Sequence, residues 1–189
     1  AGTGYWAAKL REHGANMLAF DRDPPTDDKS NPFFGAGLYA EVHRGDAASL
    51  LRASAEWPDL PKRTLLMVWP NNPDLFDNQH LVAAPHRAAL QKSSAAAPPW
   101  DAECLSCYLA AGGQSVVYAG EREENVPVSK PGAQPDCGLS ASRRFQRMLH
   151  EHFVLVERVA LPSWWLHVDD LTVWRRRDAV ASNCGGADL

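Results

Sequence analysis

The stretch AGTGYWA at residues 1–7 sets Gly2 and Gly4 two positions apart, directly ahead of a segment with helical apolar spacing. Glycines spaced this way mark the turn from a parallel strand into a helix, where the missing side chain lets a ligand reach backbone N–H groups. Two more positions carry chemistry in the same order along the chain. Asp21 ends the apolar run NMLAFD, and Gly45 with Asp46 ends the run YAEVHRGD. The tips of neighbouring parallel strands converge on one crevice, so Gly2, Gly4, Asp21 and Asp46 are expected to meet around one small molecule. An acid at the tip of the strand that follows the glycine loop is placed to accept hydrogen bonds from ribose hydroxyls.

The elements that must position these residues follow from periodicity. Trp6, Ala7 and Leu10 recur at helical spacing and REHGA supplies a glycine stop, which predicts a helix over 5–13. NMLAFD and RTLLMVWP are short apolar runs bounded by turn residues, the pattern of strands covered on both faces. YAEVHRGD reads as a strand, and DAASLLRASAEW as a helix with Asp46 at its N-cap. Cys104, Leu105, Tyr108 and Leu109 line one face of a further helix, and SVVYAGE is a buried strand ending at Glu121. Phe145, Met148, Leu149 and His152 mark the next helix. FVLVERVAL and LTVWR close the chain, and the PSWWLHVDD connection is too short for a crossover helix, so these two strands should pair antiparallel. Residues 85–101 and 122–137 read as loop insertions, and 177–189 as a disordered tail. This order predicts an α/β fold over residues 1–176, a three-layer sandwich with a mostly parallel sheet and an antiparallel terminal strand pair. Because a loop and a helix come first, the parallel first strand is expected ahead of Ala1, outside the sequence.

Composition narrows the function classes. The 189 residues are 45% hydrophobic and suit one domain with a substantial core. A net charge of −4, with Arg175, Arg176 and Arg177 as the one block of like charge, gives no electrostatic case for nucleic acid or an anionic membrane. No run of 18 apolar residues is present to span a bilayer. Cys104 and Cys107 form CLSC without a second ligand pair, so reduced thiols are expected and no metal site. The expected compartment is the cytoplasm.

The ordered segments resemble a known family. AGTGYWA looks like the end of the first motif of the class I methyltransferases that bind S-adenosylmethionine, LAFDRDPP like their second strand, and HRGDAASLL like the adenine-side turn. LLMVWPNNP is similar to their fourth-strand motif, and VERVALPSWW with DDLTVWRR to their antiparallel sixth and seventh strands. The resemblance covers about residues 1–176 and implies a Rossmann-like fold. By it, Gly2, Thr3 and Gly4 would lie along the methionine part of S-adenosylmethionine, Asp21 would hold the ribose, and Asp46 with Ala47 would edge the adenine. Trp69, Pro70 and Asn71 would border the substrate, and Glu121 would face the same crevice.

WPNN departs from the Asn or Asp, two prolines and aromatic of amino-group methyltransferases, so the acceptor, small molecule or protein, stays open. Methyl transfer from a sulfonium is an in-line displacement that chiefly needs alignment and exclusion of water. Asn71 is the catalytic candidate, orienting a nucleophilic amine through its side-chain oxygen. GTGYWA also fits the G-x-G-x-x-A spelling of nicotinamide-binding domains, which makes a nicotinamide-dependent oxidoreductase the alternative enzyme. A catalytically silent binding module is the non-enzymatic one.

Overall fold

The computed structural model describes residues 1–21, 24–25, 37–46, 57–70, 100–125, 140–162 and 168–179. They fall into two compact units, Ala1–Pro58 and Asp59–Leu189.

In the first unit helix α1 spans Tyr5–Glu12, followed by the strands β1 (Phe20–Asp21) and β2 (His43–Arg44). The strands pair parallel, with Phe20 opposite His43 and Asp21 opposite Arg44. Both are shorter than the apolar runs predict, and the reason lies in where the neighbouring backbone groups go. The Arg11 guanidinium donates twice to the Met17 carbonyl, at 3.2 and 2.7 Å, and the Tyr39 amide donates to Thr3 O at 2.8 Å. Groups spent on a side chain and on the glycine loop are not available to extend the ladder. Ala7 of α1, Ala19 and Val42 form a small buried core, with Met17 and Ala40 packed against it. Phe20, His43 and Trp57 add an aromatic triangle with ring centroids 5.1–5.3 Å apart.

The second unit holds β3 (Leu65–Val68), α2 (Trp100–Ala110), β4 (Ser115–Glu121), α3 (Arg143–His152), β5 (Phe153–Ala160) and β6 (Asp169–Arg176). Short 3-10 turns cover Leu60–Lys62 and Glu123–Asn125. The strand order is β3, β4, β6, β5. The expected mostly parallel Rossmann-like sandwich is overturned by this sheet. Only β3 and β4 run parallel in it, while β6 pairs antiparallel with both β4 and β5. The physical cause is the short return after β5: it forces β6 to run antiparallel, and β6 then inserts beside β4, making two of the three pairings antiparallel. Described residues thus form a largely antiparallel four-stranded sheet and a separate two-stranded parallel one.

The core of this unit lies between the helices and β4–β6. Leu105 and Tyr108 of α2, Val116 and Tyr118 of β4, Phe145 and Leu149 of α3, Phe153 and Trp174 are all buried. Trp100 and Asp101, read from sequence as loop, open α2 instead. Asp101 is buried and accepts hydrogen bonds from the amide of Ala102 and from the amide and hydroxyl of Ser142, at 2.7–2.8 Å. Ser142 in turn caps α3 by accepting from the Phe145 amide at 3.1 Å. Cys104 is buried and Cys107 half-buried, each carrying a thiol. At the start of the expected tail, the Arg177 guanidinium donates to the carbonyls of Glu151 and His150, and residues 180–189 lie outside the described residues. Among the described residues no helix is long and apolar enough to cross a membrane.

One hydroxyl ties three chain segments together. Tyr108 Oη lies 2.7 Å from the Arg63 carbonyl and 2.9 Å from that of Ser115, and it accepts from the amides of Gln114 and Ser115 at 3.2 and 3.1 Å. Gly113 packs flat against the same ring, where a Cβ would lie 2.3 Å from its carbons. Tyr108→Phe leaves these buried groups short of a partner and is expected to lower the unfolding free energy by about 1–3 kcal/mol, read by urea denaturation. A midpoint equal to that of the parent protein would contradict this role.

Candidate functional site

The glycine loop and Asp21 come together in the first unit. The Gly2 amide donates to Asp21 Oδ2 at 2.7 Å, and the Ala1 nitrogen donates to the same oxygen at 2.7 Å and to Phe20 O at 3.0 Å. Gly2 and Gly4 both take the left-handed conformation, with φ of 56° and 74°. That conformation favours glycine because a Cβ would crowd the following carbonyl. At Gly4 the demand is double, since a Cβ there would also stand 2.9 Å from the Ala40 carbonyl oxygen and 3.0 Å from Val42 Cγ2. The loop turns straight into α1, with Gly4 at its N-cap and the Ala8 amide donating to the Gly4 carbonyl at 2.9 Å. The tip of β2 reaches the same place, for the Gly45 amide donates to the Asp21 carbonyl at 2.9 Å. Gly2, Thr3, Gly4, Asp21 and the Gly45–Asp46 turn therefore share one end of this unit. Ala47 lies outside the described residues.

The other candidates lie in the second unit. Trp69 follows β3 with φ of 44°, the one positive value among the described residues other than glycine. A bulky side chain in that region costs energy and is held there by its surroundings. Its amide donates to the Ala119 carbonyl at 2.9 Å, which carries the β3–β4 pairing one residue further. The indole is partly exposed, while Pro70 is buried. Asn71 lies outside the described residues.

Glu121 ends β4 as expected, yet its side chain is completely buried rather than presented on a surface. The Val168 amide donates to Glu121 Oε1 at 3.3 Å, and the Glu121 carbonyl accepts from Tyr118 Oη and from Gln146 Nε2. Ser140 Oγ completes this knot 2.7 Å from both Tyr118 Oη and the Glu121 amide. Burial, reinforced by Glu121 nearby, pushes the Tyr118 hydroxyl above the usual phenol range, so it stays protonated and available as a donor. Gly120 is required beside it, because a Cβ would fall 2.6 Å from Ser140 Oγ.

Sequence reasoning overlooked two groups. Asp170 is the buried hub of an ion-pair cluster. Arg122 meets it through Nε and Nη2, Arg158 through Nε at 2.6 Å, and Asn125 through Nδ2 at 2.8 Å. Arg122 also pairs with Glu124. The three partners come from two segments, 122–125 and 158, both remote from Asp170 in sequence, so no local spacing announces them. The second group is the aromatic set Tyr5, Trp6 and Tyr39, whose rings stand edge to face around Tyr5. Tyr5 and Trp6 fall inside AGTGYWA, but Tyr39 joins them through contacts that only the fold makes, among them its backbone bond to Thr3.

No protein-family model, curated protein or solved structure matches this chain. What the arrangement can do chemically therefore rests on the geometry of its own residues.

Two glycines separate strain from packing. Gly14, with φ of 84°, has no atom within 4 Å of a built Cβ, whereas Gly4 meets backbone. Gly14→Ala is expected to cost the left-handed backbone alone, about 1–2 kcal/mol, and Gly4→Ala distinctly more. Equal losses in paired denaturation curves would mean that the loop does not pack on Ala40 and Val42.

Proposed function

We propose that the chain binds S-adenosylmethionine at the glycine loop and transfers its methyl group to an acceptor, in the cytoplasm. The observation that carries this reading is the 2.7 Å bond from the Gly2 amide to the carboxylate of Asp21, the acid that ends the next strand. It brings together the glycine loop and the strand-tip acid, which sequence spacing alone left separate. Asp21 supplies the acceptor that ribose hydroxyls call for, a carboxylate that also takes the Gly2 amide and the Ala1 nitrogen. The antiparallel β5–β6 pair supports the same reading, as the feature a nicotinamide domain would ordinarily lack.

S-adenosylmethionine brings an activated methyl group, and that is the chemistry it supplies when bound. What the protein's own residues do is positional. Gly2–Gly4 hold the loop against Asp21, and Asp46 follows Gly45, whose amide fixes the β2 tip to Asp21 O. The strained Trp69 backbone supports a functional role for that position, because such strain persists where surrounding structure over-determines it.

Equilibrium dialysis of the protein against labelled S-adenosylmethionine, with NAD and NADP as competitors, tests the reading. Saturable binding of the sulfonium, undisturbed by the nicotinamide nucleotides, is expected. Asp21→Ala should weaken it by about ten-fold or more, the scale of one lost charged hydrogen bond, and Asp21→Asn by less because an acceptor for Gly2 remains. Retention of a nicotinamide nucleotide in place of S-adenosylmethionine would overturn the proposal.

A further inference from the structure

The rim of the glycine loop carries three large aromatic side chains that the nucleoside-binding reading does not use. Tyr5 is 43% exposed, Trp6 49% and Tyr39 67%, beside an equally exposed Leu38. Contiguous exposed aromatic surface of this kind marks a binding site more often than a plain surface. The rings are not loose. Tyr5 and Trp6 open α1, and Tyr39 is tied to the loop through its amide bond to Thr3 O at 2.8 Å. The segment that carries Tyr39 is packed against Gly4 through Ala40 and Val42. Whatever sits on these rings sits within a few residues of the glycine turn.

Ring geometry selects the ligand. Tyr5 stands at 78° to Trp6 with centroids 5.7 Å apart, and at 84° to Tyr39 with centroids 5.3 Å apart. Perpendicular walls form corners. A flat ring can stack on one wall of a corner only, whereas a compact, rounded group touches two at once. Ring faces carry partial negative charge, so the compact group best suited to them is a cation whose charge is spread over methyl groups. The electrostatics agree. Lys9, one helical turn beyond Tyr5, is paired with Glu12, Glu41 lies exposed two residues from Tyr39, and the chain carries −4 overall.

We infer that Tyr5, Trp6 and Tyr39 form a site for a methylated ammonium group, the product formed when the lone pair of an acceptor amine takes the methyl carbon and the carbon–sulfur bond of the sulfonium breaks to leave the thioether. As a product pocket it rests on the reading under Proposed function, but its test needs no donor, so the two can fail separately. The shared chemistry is the methylated ammonium, carried either by a small molecule or by a lysine side chain.

Titration calorimetry of the protein with choline, with its neutral isostere 3,3-dimethylbutanol, and with a trimethyl-lysine peptide against its unmethylated twin reads the site directly. Choline is expected to bind at least about five-fold tighter than the isostere, the scale of one to two cation–π contacts. Tyr39→Ala should lower that affinity by a similar factor, and Tyr39→Phe, which keeps the ring, should restore it. Tighter binding of the trimethyl-lysine peptide than of choline would support the site and assign it to a protein side chain; the reverse order would support it and assign a small molecule. Equal affinity for choline and the isostere would reduce the site to an apolar patch. That result, tighter binding of indole than of choline, or no saturable binding of any methylated ammonium, would overturn the inference. If choline binds while dialysis detects no S-adenosylmethionine, the cation site stands and the methyl-transfer reading falls.

Discussion

The bond between the Gly2 amide and the Asp21 carboxylate is the constraint on which the rest of the first unit turns. For that amide to reach a strand tip, the chain must reverse within three residues. It does so by placing Gly2 and Gly4 in a region that side-chain-bearing residues avoid. The reversal delivers the chain into α1 at Tyr5, sets Thr3 O to receive Tyr39, and lets Val42 close on Gly4. A small core of alanines, Val42 and Met17 suffices here because hydrogen bonds, not apolar area, fix the geometry of the loop. The same contacts that shape the proposed donor site therefore orient the aromatic rim beside it.

The second unit is held by a different device, the insertion of β6 between β4 and β5. Each side of β6 is fastened by groups that could not be buried singly. Thr172 Oγ1 donates to the Tyr118 carbonyl and accepts from the Trp174 indole, while Asp170 gathers Arg122, Arg158 and Asn125. A buried carboxylate is tolerable when guanidinium and amide donors surround it, and removing one partner leaves a charge that the interior cannot solvate. Glu121 and Tyr118 belong to this scaffold, which is why an acid that reads as a strand-tip ligand group lies inside the protein instead.

How much was legible follows from the range of each interaction. Helix α1 and the face of α2 bearing Cys104, Leu105 and Tyr108 could be read because helical periodicity is local. The antiparallel partnership of the last strands could be read from a connection too short to cross over. The glycine loop and Asp21 were recognisable as types at a spacing, but their contact required the fold. Strand neighbours were not legible: nothing in LTVWR says that it enters between β4 and β5, and that one choice turns a mostly parallel sheet into a largely antiparallel one. The short reach of β1 and β2 was equally hidden, since it depends on Arg11 reaching the Met17 carbonyl and on Thr3 taking the amide of distant Tyr39. The Asp170 cluster draws on positions 122, 125 and 158, a pattern with no period to detect.

The central claim, that the glycine loop locked onto Asp21 is the donor site, is tested most directly by amide NMR of the uniformly labelled protein during titration with S-adenosylmethionine. The amide resonances of Gly2, Gly4 and Gly45 are predicted to shift together along one saturation curve, because Gly2 and Gly45 bond to Asp21 and Gly4 closes the same loop through its amide bond to Ala1 O. Saturable shifts confined to other residues, with these three glycines unmoved, would contradict the account.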